Sequence, residues 1–303
     1  MKSSDLKGVY TASVTPVNKD RSLDTASIKA LVDYYAACGL SGALIPSSSG
    51  EYFSMTPDMK RHCVAEAAKA SGGRIQILAN ISDPCPEIIL QNARIMADVG
   101  ADAVVCQPPQ FHGFSQAEAI QFFSYIADNV PLPLIVYNHM VTLPTKLTVD
   151  SVVTICSHEN IIGIKDTHRD PQRSVELRAA MDAAGADFTV MNGGDGTAAA
   201  GTLCGFDLLN ALSAVRPDLM LGILEAGHRG DAETANALQE KVSRLCKLFS
   251  CLRGGMSSST LFSMSLKLCL EKKGLCGTTS VILGYEATDE DRKAVDAVLS
   301  SID

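Results

Sequence analysis

A lysine, a tyrosine and a serine-rich loop are the residues of this chain that could support covalent chemistry. Lys165 ends the apolar run of NIIGIKDT, which begins at Asn160 and has the composition of a strand buried on both faces. Burial disfavours the charged form of an amine, and a partly neutral lysine can attack a ketone to form a Schiff base. The structural alternative is a lysine that leaves the core at the end of its strand and pairs with Asp166.

Tyr137 ends the apolar run of PLPLIVYN and precedes the lysine by 28 residues. That spacing is the length of one strand–helix unit, so the two side chains are expected on neighbouring strands. A phenol in that position could exchange a proton with the amine, although a tyrosine at a strand end can also be a core residue with a satisfied hydroxyl. The joint occurrence of the two residues favours the chemical interpretation.

The loop Ser47–Glu51, with the sequence SSSGE, follows an earlier apolar strand. Its backbone N–H groups and the hydroxyl groups of Ser48 and Ser49 could hold a carboxylate. Taken alone, a cluster of serine and glycine is usually no more than a turn. The loop gains significance only if it lies at the same end of the fold as the lysine and the tyrosine.

Eight apolar segments predict the strands that position these residues. They are Val9–Val14, Ala43–Pro46, Ile75–Asn80, Ala103–Cys106, Leu134–Tyr137, Ile161–Lys165, Phe188–Met191 and Phe206–Asn210. Their average spacing of about 28 residues is typical of a strand, a helix and two short loops. Eight parallel strands with this spacing predict a (β/α)8 TIM barrel, whose chemistry collects at the C-terminal ends of the strands.

Helical patterns occupy the segments between the strands and continue after them. The predicted helices are Asp24–Cys38, Asp58–Ala70, Pro86–Val99, Ser115–Asn129, Thr148–Ser157, Pro171–Ala184, Asp195–Cys204, Pro217–Gly227, Asp231–Phe249, Met256–Lys273 and Thr288–Leu299. The last three have no strands between them. We therefore predict a catalytic barrel over residues 1–229 and a C-terminal helical extension over residues 230–303.

Composition excludes several classes of protein. The chain has a formal net charge of −8 and no Lys/Arg block, which argues against a nucleic-acid partner or an anionic membrane surface. It has no apolar run of membrane-spanning length, and its N-terminus has no signal-peptide core. The ten cysteines include no C-x-x-C pair, which predicts reduced thiols and a cytoplasmic location. The six histidines include no H-x-x-x-H pair, so we expect no metal site.

Four motifs together resemble a known family. They are the G-x-x-x-A-x-V-T-P pattern at Gly8–Pro16, the SSGE loop, the YN at the end of the fifth strand and the G-I-K-D-T of the sixth. The chain is similar in these motifs to the pyruvate-dependent class I aldolases and synthases typified by dihydrodipicolinate synthase and N-acetylneuraminate lyase. The resemblance covers nearly the whole chain. It implies a (β/α)8 barrel with a helical C-terminal region, and a homotetramer built as a dimer of dimers.

The resemblance also implies a role for individual residues. Lys165 would form the Schiff base with pyruvate or another 2-oxo acid, and Tyr137 would donate and accept protons. A covalent lysine imine would take the place of a cofactor, and no metal would be needed. The residues expected to bind the pyruvate carboxylate or to line the floor of its pocket are Ser48, Ser49, Gly193 and Leu209.

Two departures from the family pattern concern the substrate. Dihydrodipicolinate synthase has an arginine five residues after the tyrosine, where this chain has Thr142. The family also supplies a second tyrosine from a neighbouring subunit after the fourth strand. This chain has no tyrosine there, so Gln110 or His112 could substitute, or the relay could be absent. By the same resemblance, His139 and Thr142 occupy the positions at which the 2-keto-3-deoxy sugar-acid aldolases of the family select a hydroxylated aldehyde; the alternative for His139 is a solvated loop histidine.

The leading functional prediction is reversible aldol cleavage of a 2-oxo-4-hydroxy acid, of the 2-keto-3-deoxy sugar type, to pyruvate and an aldehyde. The same imine could instead support a dihydrodipicolinate synthase-like condensation or dehydration of a sugar acid. A different class of function is a non-catalytic paralogue that binds a 2-oxo acid. A phosphate site near residues 192–196 is a further alternative, although Asp195 would place a negative charge there.

Overall fold

A computed structural model describes residues 1–252 and 257–302 of the chain. Eight parallel strands form one closed barrel in sequence order, with the last strand paired to the first. The strands are β1 (Val9–Ala12), β2 (Gly42–Ile45), β3 (Gln76–Asn80), β4 (Ala103–Cys106), β5 (Leu134–His139), β6 (Ile161–Thr167), β7 (Thr189–Asn192) and β8 (Asp207–Asn210). The predicted TIM barrel is confirmed.

The helices of the described chain lie outside this barrel and at its C-terminal end. They are α1 (Thr25–Ala37), α2 (Pro57–Ser71), α3 (Pro86–Asp98), α4 (Gln116–Asn129), α5 (Val149–Cys156), α6 (Pro171–Ala184), α7 (Ala198–Leu203), α8 (Pro217–His228), α9 (Ala232–Leu245), α10 (Ser258–Lys272) and α11 (Asp289–Ser300). The predicted order of helices is therefore confirmed. The predicted start of the tenth helix at Met256 lies outside the described residues.

The ends of the helices follow local capping chemistry. The Asp24 carboxylate accepts the N–H of Ser27 at the start of α1, and Thr288 forms a capping box with Asp291 at the start of α11. Gly185 ends α6 in a left-handed conformation with a φ of 61°, which glycine adopts without a steric penalty. Capping residues of this kind can be recognised in a sequence because they lie within one turn of the helix end.

Two local differences from the predicted elements affect the site. The seventh helix was expected to begin at Asp195, but Asp195–Thr197 forms a 3-10 turn and α7 begins at Ala198. Strands β5 and β6 are each two residues longer than predicted and end at His139 and Thr167. Their side chains therefore continue the alternation of the strands into the mouth of the barrel.

The register of the strands defines which side chains point into the barrel. Lys165 pairs with Tyr137 on β5 and with Met191 on β7, and Met191 pairs with Asp207 on β8. Because side chains two residues apart on a strand share a face, Leu209 also belongs to this inner face. The C-terminal mouth of the barrel is consequently lined by residues from different strands.

The C-terminal extension packs back onto the barrel. Its helix α9 lies against α8 and α7, and the side chain of Gln239 bridges the amide of Ala199 and the carbonyl of Asp195 at 2.9 and 3.0 Å. Within the described ranges, no helix combines the length and the apolar character needed to cross a membrane.

Candidate active site

Lys165 and Tyr137 lie side by side on neighbouring strands, as their spacing predicts. They are directly paired in the register of β5 and β6, and both side chains are buried, with 4% and 2% of their surface exposed. Lys165 Nζ lies 4.0 Å from the centroid of the Tyr137 ring. When it is protonated, an amine over a ring face is attracted by the ring quadrupole, so the tyrosine also orients the lysine.

The structural alternative, an ion pair between Lys165 and Asp166, is wrong. The Asp166 carboxylate accepts a hydrogen bond from Arg173 Nε at 2.7 Å and one from Asn138 Nδ2 at 2.7 Å. Consecutive side chains of a strand point to opposite faces, so Asp166 points towards α6 while Lys165 points into the barrel. Within the part of the chain that the structure describes, Lys165 has no carboxylate partner within 4.0 Å.

Gly193 follows β7 and allows the lysine side chain to occupy its position. A Cβ atom at Gly193 would lie 3.1 Å from Lys165 Cε and would collide with Thr167 Oγ1. Thr167 is two residues beyond Lys165 on the inner face, and its buried hydroxyl has no hydrogen-bond partner among the residues described. Sequence reasoning missed Thr167, although its spacing of two from the lysine was a usable signal. Leu209 is fully buried on β8.

The loop after β2 is held rigidly at the same end of the barrel. Ser47 Oγ donates to the carbonyl of Ser13 at 2.8 Å, and Ser49 Oγ donates to the carbonyl of Ala12 at 3.0 Å. The Ser49 hydroxyl, which was expected to bind the carboxylate, therefore anchors the loop to β1 instead. The amide N–H groups of Ser48 and Ser49 have no acceptor in the described ranges, so they remain able to bind an anion.

His139 ends β5 on the same face as Tyr137, and the two ring centroids are 5.9 Å apart. Its Nδ1 accepts the amide N–H groups of Val141 and Thr142 at 3.4 and 3.3 Å. Burial and the nearby charge of Lys165 lower the pKa of His139 to about 4, so the ring is neutral and carries its proton on Nε2. Thr142 is exposed, and its recorded contact with His139 is through its backbone.

Asp195 is a second ionisable group near Lys165, and it was not among the residues predicted to act in catalysis or substrate binding. Burial raises its pKa to about 6, while the amide of Leu212 at 2.9 Å and the charge of Lys165 act in the opposite direction. The amide of Gly194 donates to Asn192 Oδ1 at 3.0 Å and the amide of Gly193 to the Asp166 carbonyl at 2.9 Å. Two amides of the segment are thus occupied and the buried Asp195 carboxyl lies beside them, which argues against the phosphate site.

The two candidates for the missing relay tyrosine have different surroundings. Gln110 Nε2 donates to Gln107 Oε1 at 2.8 Å, which connects it to the residue that follows β4. His112 is exposed and makes an edge-on contact with Phe111, whose side chain is 85% exposed. Of the two, only Gln110 is connected within the chain to the end of a barrel strand.

The donor groups of the site are those of covalent carbonyl chemistry. In the described chain, no three His, Cys, Asp or Glu side chains are arranged to hold a metal ion. The ten cysteines are free thiols, and burial raises the pKa of Cys276 to about 11. An unpaired buried amine, a neighbouring phenol and free amides for a carboxylate are the groups needed to bind a 2-oxo acid as an imine.

Comparison with known proteins gives consistent matches. A model of the "Dihydrodipicolinate synthetase family" matches residues 5–300. The chain is 30% identical over 244 residues to an N-acetylneuraminate lyase of Rhizobium meliloti (strain 1021), covering 80% of each protein. It is also 30% identical over 239 residues to a 4-hydroxy-tetrahydrodipicolinate synthase of Xanthomonas campestris pv. campestris, covering 78% of each.

Solved structures share the whole fold. A dihydrodipicolinate synthase from Bacteroides thetaiotaomicron is 25% identical, has a TM-score of 0.88, and the match covers 98% of each chain. A prophage protein of the dihydrodipicolinic acid synthase family from E. coli K12, solved in complex with pyruvate, is 23% identical with a TM-score of 0.89 and the same coverage. The latter likeness shows the fold alone.

Proposed function

Because the chain belongs to the dihydrodipicolinate synthetase family, we propose that it cleaves a 2-oxo-4-hydroxy acid of the 2-keto-3-deoxy sugar type reversibly to pyruvate and an aldehyde. The protein is a lyase of the class I aldolase type, and enzymes of its family form a lysine imine with pyruvate and use no metal. The observation that carries the proposal is the buried Lys165 amine, which lies over the Tyr137 ring and is not paired with its neighbour Asp166.

The reaction would begin with addition of Lys165 Nζ to C2 of the 2-oxo acid. A bond forms between Nζ and C2, and the C2 oxygen leaves as water. The imine then accepts the electron pair of the breaking C3–C4 bond, while Tyr137 removes the proton of the C4 hydroxyl group. Reprotonation at C3 and hydrolysis release pyruvate and restore the free amine.

The serine loop would fix the carboxylate of the substrate. The free amides of Ser48 and Ser49 would bind it, together with the Ser48 hydroxyl, which has no hydrogen-bond partner among the described residues. Holding the carboxylate aligns the C3–C4 bond with the imine, which lowers the entropic cost of reaching the transition state. Gly193 and Leu209 would bound the pocket on the β7–β8 side.

The aldehyde side of the substrate would meet neutral groups. Thr142 stands where dihydrodipicolinate synthase has an arginine, and His139 is a neutral ring whose Nε2–H is available as a donor. A neutral donor suits a hydroxyl group, whereas the arginine that would bind a second carboxylate is replaced by Thr142, and the charge of Arg169 reaches His139 from the next strand's loop. The uncharged side chains of Thr142 and His139 therefore favour a sugar-type aldehyde over a dicarboxylate.

A dihydrodipicolinate synthase-like condensation is the second candidate, because several of the most similar relatives carry the name 4-hydroxy-tetrahydrodipicolinate synthase. The two functions differ in the aldehyde that is used. Pyruvate release from a 2-keto-3-deoxy sugar acid supports cleavage. Consumption of pyruvate only with aspartate semialdehyde would replace the proposal by the synthase function.

Borohydride trapping tests the imine directly. Intact-protein mass spectrometry after incubation with pyruvate and borohydride is expected to show a reduced pyruvyl adduct on the native protein. The Lys165→Ala variant should show none, and Lys165→Arg should also show none because a guanidinium keeps the charge but forms no imine. An adduct of undiminished yield on Lys165→Ala, from folded protein, would rule out Lys165 as the imine residue.

We also propose a homotetramer working in the cytoplasm. The tetramer is supported by the family resemblance, in which the β4–α4 loop reaches a neighbouring subunit, and by the exposed Phe111 side chain on that loop. The ten free thiols are consistent with a reducing compartment. Sedimentation velocity of the native protein should give the mass of four chains, and a monomer at micromolar concentration would contradict the tetramer.

A further inference from the structure

Helix α10 of the C-terminal extension contacts the serine loop at two points. Lys267 Nζ lies 2.6 Å from Glu51 Oε1, and Ser263 Oγ donates to the Ser49 carbonyl at 2.8 Å. The two residues are four positions apart, so they share one face of the helix. Helix α10 therefore contacts the serine loop at its last residue, Glu51, and at its central residue, Ser49.

Glu51 is held in an enclosed and unusual conformation. It has a φ of 62°, in the left-handed region that a residue other than glycine rarely adopts. Its second carboxylate oxygen accepts the Ile282 amide at 2.7 Å, and Lys267 also donates to the Ser280 carbonyl at 2.8 Å. The Lys267 side chain is fully buried and that of Glu51 is 10% exposed, so each charge depends on its partner.

Glu51 in turn orients the amide that would bind the substrate. The Glu51 N–H donates to the Ser48 carbonyl at 3.2 Å. That carbonyl and the Ser49 N–H belong to one planar peptide group, so the bond fixes the direction of the free Ser49 N–H. The next peptide group consists of the Ser49 carbonyl and the Gly50 N–H. Ser263 Oγ binds that carbonyl, and the Gly50 N–H donates to Ser47 Oγ at 3.0 Å, so this peptide group is held at both ends.

We propose that Ser263 and Lys267 are positioning residues for the carboxylate of the 2-oxo acid. They act through Ser49 and Glu51 and set the orientation of the loop amides, so the C-terminal extension forms part of the active site. This inference rests on the proposed function, because it assumes that the loop receives a carboxylate. It assigns neither residue a contact with the substrate.

Two buried serines on α10 provide a matched pair of variants. Ser263 Oγ binds the loop, whereas Ser265 Oγ donates to the Phe262 carbonyl of its own helix at 2.9 Å. Ser263→Ala should therefore weaken carboxylate binding, and Ser265→Ala should not. Both changes remove one hydroxyl from a buried position of the same helix, so a general effect on helix stability would appear in both.

The charged pair offers a second comparison. Lys267→Met removes the partner of a buried carboxylate, and the double variant Glu51→Gln/Lys267→Met removes both charges while leaving an amide oxygen for Ile282. Lys272→Met on the same helix is the control, because Lys272 pairs with Asp296 at 2.6 Å on the surface, where the two side chains are 56% and 53% exposed. If Lys267→Met does not fold, Ser263→Ala and the double variant still test the proposal.

The measurement compares two carbonyl compounds in the borohydride assay. Pyruvate has the carboxylate that the loop would bind, and hydroxyacetone has a hydroxymethyl group in its place. Ser263→Ala is expected to raise the pyruvate concentration for half-maximal adduct formation roughly fivefold to tenfold, the effect of one hydrogen bond, and to leave the dependence on hydroxyacetone unchanged. Ser265→Ala and Lys272→Met should leave both dependences at native values.

The outcomes separate the positioning role from a structural one. An equal shift for pyruvate and hydroxyacetone would mean that Ser263 only stabilises the fold, and an unchanged pyruvate dependence would mean that the loop does not need α10. Either result overturns the inference while the imine stands. Absence of a pyruvate adduct on the native protein would overturn the proposed function and this inference with it.

Discussion

At Asp195, burial and the surrounding polar groups act in opposite directions on one carboxyl group. Burial is the larger effect and raises the pKa to about 6, although the Leu212 amide and the Lys165 charge favour the ionised form. The unfolded chain would ionise the same group near its ordinary value of 3.8. Because the folded state binds the proton more tightly, this group stabilises the fold less as the pH rises.

Replacing Asp195 with Asn should remove that pH dependence. In the native protein, the contribution of Asp195 to the free energy of unfolding should fall by roughly 2 kcal/mol between pH 4 and pH 7, and the loss should be complete above the folded-state pKa. An asparagine keeps an oxygen for the Leu212 amide and carries no charge. Urea denaturation at several pH values measures the free energy of unfolding of both proteins. If Asp195 did not titrate as expected, the difference between the two free energies would be the same at pH 4 and pH 7.

His139 should act with the opposite sign. Its pKa is lowered from 6.5 to about 4, so the unfolded chain binds a proton that the folded ring does not. Its contribution is therefore present above pH 6.5 and is lost as the pH falls towards 4. His139→Gln should lose less stability than the native protein between pH 7 and pH 4.5, by roughly 1–2 kcal/mol after allowance for partial exposure. Equal losses in the same urea experiment would show that the histidine ionises normally.

The residues of the site differ in how far the sequence could reveal them. Lys165 and Tyr137 were found from their position at the ends of apolar runs one strand–helix unit apart. The alternation of side chains along β6 already separates Lys165 from Asp166, and the same alternation would have found Thr167. The proximity of Asp195 to Lys165 depends on a 3-10 turn after β7, and no local pattern determines where such a turn directs a side chain.

At the scale of elements, a buried ion pair joins β6 to its neighbours. Arg173, on the first turn of α6, donates to Asp166 through Nε and to the Leu147 carbonyl through Nη2 at 3.0 Å. Asn138 at the end of β5 donates to Asp166 and accepts the Leu147 amide at 3.2 Å. The ends of the two strands that carry Tyr137 and Lys165 are thus fixed by one network.

Removing one member of this network should be costly. Arg173→Met leaves the Asp166 carboxylate buried without its cation, so we expect a loss of about 3–5 kcal/mol in the free energy of unfolding. Arg178→Met on the same helix is the control, because Arg178 pairs with the exposed Asp182 and its loss should cost less than about 1 kcal/mol. Urea denaturation measures both. Similar losses for the two variants would show that the Asp166 pair contributes no more than a surface pair.

The double variant Asp166→Asn/Arg173→Met tests the cause of the loss. It removes both charges, so it should recover part of the stability that Arg173→Met loses. A double variant at least as unstable as the single one would indicate that the side-chain packing of Arg173, and not its charge, matters. The sequence did not reveal this pair, because its members come from a strand and from a helix that begins after a loop.

The elements themselves were largely predictable because their signals are local. Every barrel strand was found as an apolar run, and the helices predicted to begin at Asp24 and Thr288 begin one residue later, with these two residues as their N-caps. The ends of β5 and β6 were missed because His139 and Thr167 are polar, although these two residues pair with each other in the register of the strands. At polar strand ends in a barrel, the hydrophobic pattern therefore predicts the strand boundary poorly, and the expected position of a functional site is the better guide to it.

At the scale of the whole molecule, the extension is connected to the barrel through buried and half-buried groups. Lys267 of α10 is fully buried against Glu51, and Gln239 of α9 binds the Asp195 turn. Arg292 of α11 binds Glu271 of α10 at 3.0 Å, which ties the last helix to the others. We propose that residues 1–229 form the barrel and residues 230–303 the helical region. We also propose that these two regions fold together as one cooperative unit.

A fragment of residues 1–229 should therefore fail to fold cooperatively. Without the extension, the Glu51 carboxylate loses Lys267 and the Ile282 amide, and the apolar faces of α7 and α8 are exposed to water. The full chain should unfold in urea as one transition, with the same midpoint by far-ultraviolet circular dichroism and by loss of the pyruvate adduct. The fragment should show a broad transition and form no adduct. If it instead unfolded cooperatively and formed the adduct at native pyruvate concentrations, the barrel would be an independent catalytic unit and the coupling through α10 would have no role in binding.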